Sequence, residues 1–300
     1  MSAHGANAYL AQRVLTQNIA APLTEMESWE LTRILRLDAR KYYQSGLITY
    51  LEAIAGLRKK TWTWSAIKFY YSVFYLIRAL LALEGVAYVS VNKKLGWIKT
   101  QPGECLAKFP TKKSYSAGGN AEKNLSGSHG SVLYLLEKNF PNSRLLSQEI
   151  DGLYPTEWLM KAREFHNYQS CGFSDPKPSQ YFDKYVENLD AHARTIYAYF
   201  NDKDDLYTFT SDHAVISYPT FVIKHVAGRF EQQSTSHRHK TDTRALLPEA
   251  EAEAEAEAEA EAEAEDIADI QVIMDNSLIL EMIAAEGSEM NFLEKLVLKP

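Results

Sequence analysis

A chain of 300 residues with 46% hydrophobic and 12% aromatic side chains is long enough for one full core plus a smaller element. That composition excludes collagen-like, mucin-like and wholly disordered chains, while two cysteines, Cys105 and Cys171, exclude a disulfide framework or a thiolate-rich metal site and fit a reducing compartment. The net charge of −7 averages two unlike pieces: residues 1–200 carry 24 Lys and Arg against 17 Asp and Glu, residues 201–300 carry 8 against 22, and residues 41–113 carry 12 against 3. An acidic whole therefore does not exclude a polyanionic partner for the N-terminal part.

Residues 1–23 read as a loose arm, with neither a basic nor an apolar leader segment at the start. Thr24 and Glu27 have the spacing of a capping box, and Trp29, Leu31, Ile34, Leu35 and Leu37 follow at helical intervals. Gly46 is expected to interrupt that helix before a second stripe of Leu47, Leu51, Ile54 and Leu57. Ser65 to Glu84 is apolar almost all round and closed by Gly85, which predicts a central helix packed on several faces. Its most lipophilic stretch, Val73 to Leu83, is short for a bilayer and contains Arg78, so the expectation is a cytoplasmic protein with no membrane partner.

Residues 86–125 open on a β-branched run, Val86 to Val91, and continue rich in Lys, Gly and Pro, as expected of a long basic surface insertion. Helical periodicity returns over His129–Phe140, Pro155–Tyr168 and Tyr181–Phe200, with a turn at Gly172–Pro178. After Asn201–Asp205 the character changes. Residues 204–230, β-branched and aromatic, read as a small strand-bearing appendage, and residues 231–265 as a disordered spacer ending in a Glu-Ala repeat. Residues 266–300 read as a short apolar docking element. The fold class expected is all-α: an up-and-down helical bundle over 24–203 with a long basic insertion and an acidic, partly disordered C-terminal extension.

The common signatures of phosphate loops, dinucleotide folds, zinc proteases and hydrolase elbows are absent, and no cofactor or metal is expected. The chemistry-bearing stretch is Lys161 to Tyr168. Arg163 can clamp a phosphate with a planar fork of donors, and His166, three positions on, can exchange a proton near neutral pH. These are the needs of metal-free RNA cleavage: activation of the 2′-hydroxyl, stabilisation of the crowded phosphorus and protonation of the leaving oxygen. The alternative is that Arg163 pairs with Glu164 or another acid while His166 and Tyr168 pack or cap. In the insertion, Lys93, Lys94, Lys99, Lys112 and Lys113 are interleaved with Trp97, Phe109 and Tyr115, the composition of an RNA contact to which Tyr168 adds a ring. A solvated charged face is the alternative.

The tyrosine-rich helix from Phe69 to Gly85, the Ser128-His129-Gly130 helix start and the Arg163–Tyr168 stretch together resemble the HEPN superfamily over roughly residues 30–200. The resemblance implies a helical bundle, a homodimer whose active groups face each other across the two-fold, and catalysis by Arg163 and His166. It also implies an RNA-binding or metal-independent endoribonuclease effector of a bacterial defence or toxin–antitoxin system. Active members typically place His four to six positions after Arg, whereas His166 stands three after Arg163. The alternative is a non-catalytic dimeric helical interaction module whose C-terminal extension meets a protein partner.

Overall fold

The computed structural model describes residues 5–16, 21–91, 94–114, 116, 122–125, 127–169, 178, 180–187 and 192–244. Helix α2 (Glu25–Arg58) starts as its sequence dictates: the Glu27 amide donates to the Thr24 hydroxyl at 3.2 Å and the Thr24 amide donates to the Glu27 carboxylate at 2.9 Å. Lys60, at φ 58°, helps turn the chain into α3 (Trp62–Leu83), which stops ahead of Gly85 at φ 72°.

α2 runs unbroken through Gly46, which is a contact rather than an interruption. The Ser72 hydroxyl donates to the Gly46 carbonyl at 2.8 Å, and a Cβ at position 46 would stand 2.8 Å from Leu76 Cγ. Nearer the turn, the Ser65 hydroxyl donates to the Ala53 carbonyl at 2.9 Å against Gly56. Small residues at both places bring the two backbones close. Tyr43, Tyr50 and Leu57 of α2 and Phe69, Tyr70 and Leu76 of α3 fill the buried space, with full burial of a large apolar side chain contributing about 1.5–3 kcal/mol. α3 is the one helix among the described residues long and apolar enough to cross a membrane, and 78% of its most apolar stretch is buried inside the protein.

The N-terminal arm is not loose where it is described. Gly5–Thr16 forms α1, and its first amides donate to the buried Asp38 carboxylate of α2, Gly5 at 3.1 Å and Ala6 at 2.9 Å. Arg13 closes the other end through Glu27 at 2.7 Å and the carbonyls of Ala21 and Pro22. The described residues of the expected insertion after Gly85 include strands. β1 (Val86–Val91), β2 (Lys94–Lys99) and β3 (Ala107–Lys108) form an antiparallel sheet, with Tyr88 opposite Trp97. β4 (Lys112–Ser114) and β5 (Glu122–Asn124) form a separate hairpin. The fold is thus a multi-helix bundle with small β insertions.

α4 (Gly127–Asn139) and α5 (Pro155–Glu164) follow, the latter passing into a π-helical turn over Phe165–Gln169. Within the stretch expected as a single helix, Tyr181–Phe200, a 3₁₀ turn at Gln180–Phe182 leads into α6 (Asp183–Glu187) and His192–Phe200 forms α7, while 188–191 lie outside the described residues. Phe182 and Tyr185 pack on Trp62 at 5.5 and 6.2 Å between ring centroids.

The strand-bearing appendage is replaced by helix α8 (Ser211–Arg244), despite Pro219 within it. Residues 214–223 are buried almost without a break, so the Val, Ile and Phe that suggest strand serve as core on all sides. Thr220 meets the Tyr50 hydroxyl at 2.7 Å, and the Tyr218 hydroxyl donates to the Leu145 carbonyl at 3.1 Å. Residues 231–244, expected as spacer, are helical too, while the Glu-Ala repeat, the docking element 266–300 and the Gly172–Lys177 part of the turn lie outside the described residues.

Packing divides the chain into two units, 1–187 with 202–226 and 188–201 with 227–300. Every residue of the site below belongs to the first. The second contains α7, where Ile196 and Tyr199 are buried and Tyr197 is exposed.

Candidate functional site

Tyr70, in the middle of α3, is the fixed point of the site because the surrounding core buries its ring. Gly127, at φ 68°, starts α4 so that His129 falls in the first helical turn and reaches back to α3. The His129 ring lies 4.4 Å from Phe74, 5.5 Å from Tyr70 in a stacked arrangement and 5.6 Å edge-on from Tyr71. Its Nδ1 is hydrogen-bonded to the Tyr70 hydroxyl at 2.7 Å. From the last turn of α5, the Arg163 guanidinium lies over the same Tyr70 ring at 5.0 Å.

Arg163 Nε is buried without a hydrogen-bond partner among the described residues, and no ion pair joins Arg163 to Glu164 there. A desolvated guanidinium donor left unused costs about 1–3 kcal/mol unless an acceptor arrives. Burial pushes the Tyr70 phenol well above its usual range, so it stays protonated. Burial, and then the charges of Arg163 and Arg78, hold the His129 imidazole below its ordinary value of 6.5. The N-terminal end of α4 disfavours the imidazolium in the same sense. When Tyr70 donates to Nδ1, the neutral ring carries its proton on Nε2; the opposite tautomer reverses the bond.

His166 is placed elsewhere. It is 5% exposed, its Nδ1 donates to the Ala162 carbonyl at 2.7 Å, and its ring packs among Phe165, Tyr181 and Phe182. The π-helical turn that begins at Phe165 replaces the last part of the regular helix expected to run from Pro155 to Tyr168. Lys113 is a second correction to the expected basic surface. It is 4% exposed and bridges Glu137, at 2.8 Å, and Glu157, tying the β4–β5 hairpin to α4 and α5.

Lys112 is exposed and Lys99 partly so, as a polyanion contact needs. Lys93 and Tyr115 lie outside the described residues, and only the backbones of Lys94 and Tyr168 are described. Trp97 and Phe109 are occupied: Lys138 lies over the Trp97 ring at 5.5 Å, and Phe109 packs on Tyr88 and Tyr134.

Sequence reasoning found Arg163 but not His129 as its neighbour. The signal present was Ser128-His129-Gly130 at a helix start, but its partner Tyr70 stands 59 positions away. No group of three or more His, Cys, Asp or Glu able to hold a metal ion occurs among the described residues. Comparison with protein-family models, curated proteins and solved structures finds no match to this chain.

Proposed function

We propose that this chain is a HEPN-like RNA-binding protein and metal-independent endoribonuclease, with Arg163 and His129 rather than Arg163 and His166 as its reacting pair. The observation that carries this reading is an unused, buried guanidinium donor and a neutral imidazole held on one tyrosine ring from three helices. A neutral imidazole is the form that can accept a proton from an RNA 2′-hydroxyl. The freed oxygen attacks phosphorus, the bond from phosphorus to the 5′-oxygen breaks, and that oxygen takes a proton from an imidazolium. The products are a 2′,3′-cyclic phosphate and a 5′-hydroxyl. Arg163 donates to the non-bridging oxygens as charge gathers on them. The homodimer that the resemblance implies would bring a second His129 to the same phosphate, one ring as base and one as acid. Exposed Lys112 and half-exposed Lys99 would hold flanking phosphates.

The test is cleavage of labelled single-stranded RNA and tRNA in EDTA by the parent and by Arg163→Ala, His129→Ala and His166→Asn. The first two variants should lose about a hundredfold or more in rate, and the third should cleave if it folds. No cleavage by the folded parent refutes the catalytic reading.

A second reading, a non-catalytic helical interaction module, is favoured by one face of α2. Met26 is 75% exposed, Trp29 is 62% exposed, and Leu37 continues the same helical stripe. RNA-independent self-association of the parent, abolished by Trp29→Glu, would support it.

A further inference from the structure

Beneath α1 lies a cavity of about 170 Å³ lined by Leu35 and Asp38 of α2, Arg78, Leu81 and Ala82 of α3, Val86 of β1 and Val132 of α4. Its walls are mostly apolar, and its charged groups are Arg78 and Asp38. Both Asp38 oxygens already accept from the first amides of α1, at 3.1 and 2.9 Å, and the positive end of that helix offsets the carboxylate. Arg78 has no such partner. Its guanidinium donates to the Tyr42 hydroxyl and lies over the rings of Tyr42 at 4.1 Å and of Phe74 and Tyr88 at 5.8 Å, with no carboxylate in an ion pair among the described residues. Arg78 is half-buried, and four of its five guanidinium donors remain for another acceptor. The Asn7 carbonyl oxygen is taken by the Ser90 amide at 2.8 Å, which leaves its NH2 group as a further donor at the rim.

We infer that this cavity is a binding site for a small organic carboxylate with a single-ring body. The size follows from the volume, since an apolar cavity of about 150 Å³ holds a benzene ring. The head group follows from Arg78, whose planar fork matches a carboxylate with two parallel hydrogen bonds. The body lies against Leu35, Leu81, Val86 and Val132, the apolar part of the lining. The site is separate from the reacting pair and does not rest on the RNA reading. It borders that pair through Phe74, which contacts both Arg78 and His129.

The test is calorimetric titration of the full chain with benzoate, with its neutral isostere benzamide and with inorganic phosphate. Benzoate should bind one to one, benzamide at least about tenfold more weakly for want of the charge, and phosphate more weakly for want of the ring. Arg78→Met should weaken benzoate by about tenfold or more, and Ala82→Leu, which fills the cavity and keeps the cation, should do the same. Failure of the parent to bind benzoate, equal binding of benzoate and benzamide, equal binding of benzoate and phosphate, or undiminished binding in both folded variants would each overturn the assignment. The comparison of benzoate with benzamide needs no variant, so it decides even where a substitution impairs folding.

Discussion

Replacing Gly46 by Ala sets two effects of known size against each other. In an open helix the change is favourable, because Gly loses more backbone freedom on folding, by about 1 kcal/mol relative to Ala. In α2 the new methyl would stand 2.8 Å from Leu76 Cγ, 3.0 Å from Leu76 Cδ2 and 3.3 Å from the Ser72 carbonyl oxygen. Leu76 is fully buried, and the Ser72 oxygen belongs to the backbone. Overpacking of this kind costs about 1–3 kcal/mol. Relief by moving α3 outward would stretch the buried bond from the Ser72 hydroxyl to the Gly46 carbonyl, worth about 1 kcal/mol. Against the gain of about 1 kcal/mol, the overpacking leaves a net loss of up to about 2 kcal/mol. Gly228 in α8 is the matched control: an added Cβ there meets nothing within 4 Å, so Gly228→Ala should gain up to about 1 kcal/mol. Urea unfolding followed by far-ultraviolet circular dichroism reads both as opposite shifts of the midpoint at an unchanged slope. A higher midpoint for Gly46→Ala would refute the close approach of α2 and α3.

Four further outcomes follow from the same geometry. Tyr70→Phe removes the hydroxyl that holds His129 Nδ1 while keeping the ring under Arg163; the histidine titration read by NMR should move, and RNA cleavage should fall about tenfold or more at unchanged fold. Lys113→Met leaves the buried Glu157 and the half-buried Glu137 without their cation and should cost about 3–5 kcal/mol by chemical denaturation, so a loss within error would show that the bridge does not form. Arg13, and then the Thr24 amide, hold Glu27 down at about 2 from an ordinary 4.5, so the folded state binds fewer protons at this group and its stabilisation, present above pH 4.5, is lost as the pH falls toward 2. Arg13→Met should flatten that acid limb in melting temperatures recorded from pH 2 to 6. His129 is held below 6.5, which again makes the unfolded chain bind more protons; its stabilisation is present above pH 6.5 and lost as the pH falls through the folded-state value, and His129→Gln should remove that slope below pH 6.5.

The start of α2, the all-round burial of α3 with its Gly85 stop, and the Pro155 start of α5 were legible in the sequence. Each depends on groups a few positions apart: a hydroxyl and an amide three residues on, an apolar run, a residue free to adopt positive φ. Arg163 was legible as a candidate phosphate ligand for the same reason, since its chemistry is its own. What only the tertiary structure decided involves partners far apart in the chain. Gly46 looks like a break until α3 lies against it, and α1 looks like a loose arm until Asp38 takes its amides. α8 looks like strand until burial on every side overrides the preference of its β-branched residues. His166 and Lys113 carry the right chemistry, but their polar atoms are committed to the Ala162 carbonyl and to Glu137 and Glu157. His129 gains its place only because α3 sets Tyr70 between it and Arg163. Periodicity and capping are written in neighbouring residues, whereas burial and charge pairing belong to whichever side chains folding brings together.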